Sequence, residues 1–174
     1  MRIRAAEPAD AAALKNLHMA SWRSAYASFA PATVFGAPLE HNMAERWDTW
    51  PADRLIRVAE DDGILGFAAV EWKAQPYLDN LHIRPDLRGT GLGRRLFSDL
   101  AAVLLAGGHR ALSLTVIAGN APARGFYRRC GGREGPLEED DLLGHPIRVY
   151  PVHWDRAALA QMAEEFAHER ENLA

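Results

Sequence analysis

Cysteine is nearly absent: Cys130 stands alone in 174 residues. That excludes an internal disulfide and a cysteine-built metal site, and it fits a reducing compartment. The seven histidines show no H-x-x-x-H or comparable spacing, so no metal is expected. Positive charge is not in excess. A net charge of −3 gives no electrostatic basis for non-specific nucleic-acid binding. Long apolar runs are missing too, none reaching the roughly 18 residues a membrane span needs. The opening "MRIRAAEPADAAALK" lacks the apolar core of a signal peptide. A soluble, cytoplasmic protein with neither a membrane nor a nucleic-acid partner is expected. Internal repeats and low-complexity linkers are also absent.

What is present points to one globular domain. Apolar residues make up 48% of the chain, enough at this length for a substantial core. A short strand is predicted over 3–6 and a helix after Pro8, with Leu14, Leu17 and Ser21 at helical spacing. A second helix is predicted over 38–50, closed by Pro51. Two β-prone runs, 55–59 and 64–72, flank Asp62-Gly63 and read as a hairpin. A strand over 77–83, a helix over 91–106 ended by Gly107-Gly108, and a strand over 111–117 form a crossover unit with parallel strands. A short helix over 121–130, a late strand over 147–152 and a terminal helix from Asp155 complete the order, with Leu159, Met162 and Phe166 on one helix face. A mixed α/β sheet with helices on both faces follows.

The apolar residues of "YLDNLHI", Leu78, Leu81 and Ile83, are spaced by three and then two, where a regular strand spaces them by two. A β-bulge near Asp79–Asn80 explains this. So does a strand buried on both faces, to which alternation does not apply.

Three glycines, Gly89, Gly91 and Gly93, sit between that strand and the next helix, with Arg84, Arg88, Arg94 and Arg95 around them. Glycines permit positive φ and close approach of a ligand. A helix start adds free N–H groups and a partial positive charge, so the turn reads as a phosphate site. It is not a P-loop, which needs a lysine followed by Ser or Thr. It is not a dinucleotide fingerprint either: counted from Gly89, the sixth position is Arg94 rather than glycine.

"LHIRPDLRGTGLGRRLF" resembles the acetyl-CoA signature of the GCN5-related N-acetyltransferase (GNAT) superfamily, [RQ]-x-x-G-x-[GA], through Arg88-Gly89-Thr90-Gly91-Leu92-Gly93, preceded by a V-x-P-like Ile83-Arg84-Pro85. "NAPARGFYRRCGGR" resembles the family's N-x-x-A-x-x-[FL]-Y-x-x-x-G block through Asn120, Ala123, Phe126, Tyr127 and Gly131. The element order matches the family's to about residue 152. The resemblance implies a GNAT-type fold: a central, mostly antiparallel sheet splayed between strands 4 and 5, in a domain over 1–154 with a helical extension over 155–174. It implies that the backbone of Arg88, Gly89, Thr90, Gly91, Leu92, Gly93 and Arg94 holds the CoA pyrophosphate. It also implies that Leu81, His82 and Ile83 pair with the pantetheine like an extra strand, and that Asn120 hydrogen-bonds that arm. Acetyl-CoA is the implied co-substrate, with no metal. An amine of a small molecule or peptide is the implied acceptor, attacking the thioester directly while a backbone N–H polarises the carbonyl.

Tyr127 occupies the family's tyrosine position and fits the proton donor to the leaving thiolate. Its alternative is packing against Phe126. Acids that family members often carry early in strand 4 and in strand 5 are replaced here by Gln75 and Thr115. Asp79 is then the first candidate base, Glu71 the second and His82 behind them, with a water chain as the alternative. Cys130 reads as a packed residue. Trp22, Tyr26, Trp47 and Trp50 line an acceptor pocket or fill the core. The acidic run Glu138–Asp141 attracts a cationic amine or is a solvated turn. The terminal helix docks on the chain's own core or on a second subunit as a homodimer. An acyl-CoA-binding sensor on the same fold is the alternative to the enzyme, and a phosphate-ligand module unrelated to acyl transfer is a third reading.

Overall fold

The computed structural model describes residues 1–171; the side chains of Phe166 and of residues 168–171 lie outside that description, and with them the expected place of Phe166 beside Leu159 and Met162. The chain runs β1 (Arg2–Ala5), α1 (Ala11–Tyr26), α2 (Ala37–Trp47), β2 (Leu55–Glu60), β3 (Ile64–Trp72), β4 (Pro76–Ile83), α3 (Leu92–Ala106), β5 (Leu112–Ile117), α4 (Ala121–Arg129), β6 (Arg133–Glu134), β7 (Glu138–Leu142), β8 (His145–Trp154) and α5 (Arg156–Glu171). Among the described residues the strands form one sheet in the order β1-β2-β3-β4-β5-β8-β6, with β7 also on β8. Every pairing is antiparallel except β4 with β5.

Period explains the layers. α1 buries Leu14, Leu17, His18 and Ser21, one stripe at helical spacing. With Leu39, Met43 and Trp47 of α2 it covers one face of the sheet over Ile56, Val58, Phe67 and Ala69. α3 presents Leu92, Leu96, Leu100 and Leu104 to the other face, against Val70, Leu78, Leu114 and Trp154. Each fully buried leucine contributes about 1.5–3 kcal/mol. β3 is buried on both faces, Phe67 and Ala69 going to one core cluster and Ala68 and Val70 to the other. α5 packs Leu159 and Met162 into the α3 cluster, so the terminal helix docks on the chain's own core. No helix among the described residues is long and apolar enough to cross a membrane.

The β2–β3 hairpin turns through residues 61–63 between the paired Glu60 and Ile64, with Asp62 (φ 43°) and Gly63 (φ 109°) at positive φ. Three elements differ from expectation. α2 ends at Trp47, not Trp50, with the Asp48 amide closing on the Ala44 carbonyl; Trp50 packs on the α1–α2 cluster from beyond the helix. The acidic run is strand β7 rather than a turn. Its backbone pairs with β8, Glu139 stands opposite Arg148, and Leu142 is buried. Ladder bonds and one apolar anchor outweigh the poor strand propensity of acidic residues, and charge is well tolerated on a sheet edge. β8 begins at His145, two residues earlier than expected.

The bulge is present. Asn80 pairs with Ala69 and Leu78 with Val70, so Asp79 is the extra residue in β4. It puts Leu78, Leu81 and Ile83 on the α3 side and turns Asn80 and His82 inward on the opposite face.

Candidate active site

Among the described residues β4 and β5 share one ladder pair, Tyr77 opposite Ser113. The Tyr77 hydroxyl lies 2.9 Å from Thr115 Oγ1 just beyond it. Past that point the strands separate, and the gap opens into two adjoining cavities.

The larger, about 860 Å³, runs from Leu81, His82 and Ile83 past the glycine turn to Asn120 and Tyr127. Gly89 (φ +81°) and Gly91 (φ +87°) hold the left-handed backbone, and a Cβ at either would meet nothing within 4 Å. This is an open cradle at the start of α3, where no side chain caps the helix. Thr90 Oγ1 donates to the Leu87 carbonyl at 2.7 Å and stiffens the turn. Leu92 is buried in the core, which leaves only its backbone to face a ligand. The donor set, the shape and the size all suit a phosphate-bearing, extended acyl-CoA.

The arginines around the turn have separate roles. Arg84 pairs with Asp86. Arg94 pairs with Glu165 of α5 and donates to the Arg129 carbonyl at 3.1 Å. Arg88 crosses to α1 and bonds Ser24 Oγ at 2.9 Å. Asn120 caps α4, its Oδ1 accepting from the Ala123 amide at 3.2 Å.

The smaller cavity, about 320 Å³, lies on the far side of Tyr127 and is lined by Tyr26, Arg46, Tyr77, Asp79, Asp140 and Asp141 among others. Tyr26, Asn120, Ala123 and Tyr127 line both cavities and mark where they meet. Burial raises the Tyr127 phenol above its ordinary value, with Tyr26 adding to the effect. Burial and the Asp79 charge push Tyr26 up to about 12. Both phenols therefore hold their protons at neutral pH.

Asp79 carries more than was expected of it. Its Oδ2 accepts from Arg46 Nη1 at 2.5 Å, Asn80 Nδ2 at 2.5 Å and Arg54 Nη1 at 3.3 Å. Glu71 pairs with Arg54 at 2.6 Å and Lys73 at 3.7 Å and lines neither cavity. His82 is buried; burial and nearby Arg88 and Arg46 bring its imidazole down to about 3, so it stays neutral. Burial pushes the Cys130 thiol up to about 11, which keeps it a protonated packing group. Trp47 is core, and Trp22 lines the smaller cavity. Arg46, Arg54 and Ser21 were missed by sequence reasoning. The first two act across 33 and 25 residues, beyond any local signal; Ser21 was legible only as a polar residue on an apolar stripe.

A glycine cradle at a helix start, a splayed β4–β5 pair and a tyrosine between two cavities make up the candidate site. Residues 13–132 match the acetyltransferase (GNAT) family, and the chain belongs to it. It is 30% identical over 73 residues to the thialysine N-epsilon-acetyltransferase of Bos taurus, covering 41% of this chain and 43% of that one. It is 34% identical over 97 residues to the peptidyl-lysine N-acetyltransferase YjaB of Salmonella typhimurium, covering 56% and 59%. The chain thus spans about half the length of the curated relatives it matches. The fold is similar to that of the paiA N-acetyltransferase of Thermoplasma acidophilum, solved in complex with coenzyme A, with a TM-score of 0.71, 17% identity and coverage of 88% and 98%.

Proposed function

We propose that the chain is an N-acetyltransferase that uses acetyl-CoA to acetylate an amine of a small molecule or peptide. The observation that carries this is the junction: a cradle-bearing groove and a polar, acid-lined cavity meet at Tyr127, Tyr26 and Asn120. Acetyl-CoA, when bound, supplies the activated acetyl thioester. The amides of the Arg88–Arg94 turn would hold its pyrophosphate. The freed amide of Asn120 and the β4 edge at Leu81–Ile83 would hold its pantetheine arm. Tyr127 keeps its proton at neutral pH and presents it at the junction for the leaving sulfur. The carboxylates of Asp79, Asp140 and Asp141 draw a cationic amine into the smaller cavity. Asp79 takes the amine's proton, directly or through a water. Glu71, outside the cavity, holds Arg54 and thereby Asp79.

Release of free thiol from acetyl-CoA across a panel of amines tests this reading. Amine-dependent release that is lost in Tyr127→Phe supports it. CoA binding by calorimetry without release on any amine would instead favour an acyl-CoA sensor.

A further inference from the structure

Ser21 is a polar residue on the buried stripe of α1, 2% exposed, and His82 is a polar residue on the inward face of β4, 6% exposed. Their side chains meet, with Ser21 Oγ 2.8 Å from His82 Nδ1. Arg88 reaches the same serine from the glycine turn. Its Nη2 donates to Ser21 Oγ at 3.3 Å and to the Ser21 carbonyl at 3.4 Å, and its Nη1 donates to Ser24 Oγ at 2.9 Å. All four residues line the larger cavity.

Donor inventory fixes the first bond of the chain, and the tautomer of His82 sets the second. A guanidinium only donates, so Ser21 Oγ accepts from Arg88. We assign the hydroxyl's single proton to His82 Nδ1, 2.8 Å away. This direction corresponds to the tautomer of the neutral ring that carries its proton on Nε2 and accepts at Nδ1. His18 backs the arrangement: its ring lies 4.6 Å from that of His82, and its Nδ1 accepts from Trp47 Nε1 at 3.0 Å. On the far side of β4, Gly66 permits the close approach of β3, since a Cβ there would stand 2.9 Å from the His82 carbonyl oxygen.

We propose that Ser21 and His82 are positioning residues that hold Arg88 ready for the phosphate-bearing part of acyl-CoA. They tie α1, β4 and the glycine turn into one clamp around the groove. The contacts with α1 use the two terminal nitrogens of Arg88 and leave its Nε–H to meet an anion. A long, rotamer-rich side chain is thus ordered before the ligand arrives, which removes about a three- to ten-fold penalty from binding. His82 acts here through its side chain, separately from the β4 backbone expected to meet the pantetheine.

The proposal rests on the acyl-CoA reading of the groove, and binding rather than turnover tests it. Calorimetry on the full chain compares CoA with pantetheine, which lacks phosphate. Ser21→Ala and His82→Phe are expected to weaken CoA about three- to ten-fold while leaving pantetheine affinity unchanged. Ser21→Thr, which keeps a hydroxyl, retains the wild-type CoA affinity. In an Arg88→Met background Ser21→Ala has no further effect. Equal weakening of both ligands, an unchanged CoA affinity, or independent addition of Ser21→Ala and Arg88→Met overturns the proposal. A wild-type chain that binds no CoA overturns it together with the acyl-CoA reading. A wild-type chain that binds CoA, with Ser21→Ala indistinguishable from it, overturns this inference alone.

Discussion

Asp79 Oδ2 accepts from Arg46 Nη1 at 2.5 Å, in a pair whose side chains are 15% and 23% exposed. The bulge creates this contact, because Asp79 is the residue without a partner on β3. Arg54, just before β2, joins it at 3.3 Å while also pairing with Glu71 at 2.6 Å, so Asp79 bridges two guanidiniums, one of which has a second carboxylate. Asp79→Asn takes the charged partner from Arg46 and leaves Arg54 with Glu71 alone; it is expected to cost about 1–3 kcal/mol of stability, read as a lower urea midpoint with an unchanged slope. It also separates two roles. If Asp79 takes the amine's proton, the acidic limb of kcat/KM against pH disappears in the variant. A limb that persists assigns that proton to water and leaves Asp79 as the anchor of Arg46 and Arg54.

Tyr127→Phe is expected to lower kcat about 100-fold, within the range for a positioned general acid, with the Kd for CoA unchanged. Burial raises the phenol above its ordinary value of 10, so the protonated, active form persists through the alkaline range. A fall in kcat caused by Tyr127 ionisation therefore lies above pH 10. An unchanged kcat in the variant would give Tyr127 back to packing against Phe126 and Trp154, its ring neighbours at 5.2 and 5.9 Å.

Features written in consecutive residues were legible in the sequence. The glycine turn, the Asn120–Tyr127 block and the Asp62-Gly63 hairpin each depend on backbone preferences a few residues long, and the bulge showed itself as one skipped position between Leu78 and Leu81. What stayed hidden is long-range. Nothing local ties Arg46 or Arg54 to Asp79, or Arg88 to Ser21 and His82. β7 was misread for the same reason: four acidic residues argue against a strand until β8 offers them a ladder and an opposed Arg148. α2 was read too far because Trp50 is apolar and packs on the same cluster, although the helix has already ended at Trp47.

Gly91→Ala tests the cradle. At φ +87° an L-residue is strained by about 1–2 kcal/mol, while the added methyl meets no protein atom within 4 Å. It occupies the space where a phosphate would approach the amides of α3. CoA affinity is expected to fall at least tenfold, beyond what the modest loss of stability explains. Pantetheine affinity, measured alongside, is expected to stay close to wild type.

The buried imidazole makes stability depend on pH with a definite sign. His82 sits at about 3 in the fold against about 6.5 in an unfolded chain. Between those values the unfolded state binds the extra proton. The contribution is therefore fully present above pH 6.5 and is lost as pH falls toward 3, at up to about 1.4 kcal/mol per unit. His18 is depressed in the same direction by burial and by His82. His82→Phe is expected to flatten the fall of the thermal midpoint between pH 6.5 and 4 relative to wild type. Parallel curves for the two proteins would mean that His82 is already charged in the fold.

The acidic strand provides the test of acceptor recognition. Asp140 and Asp141 of β7 line the smaller cavity with Asp79, and Arg46 is a cation on the same wall. Asp141 also supports the local backbone, since its Oδ1 accepts from the Gly144 amide at 2.6 Å in the turn that joins β7 to β8. Asparagine keeps that acceptor and removes the charge. The double variant Asp140→Asn/Asp141→Asn is therefore expected to fold with a wild-type thermal midpoint and to bind CoA normally. Its KM for a cationic amine should rise about three- to ten-fold at low ionic strength, with the difference from wild type shrinking as salt screens the field. A KM that does not move, or one that moves equally at all salt concentrations, would show that these carboxylates take no part in drawing the amine to the junction at Tyr127.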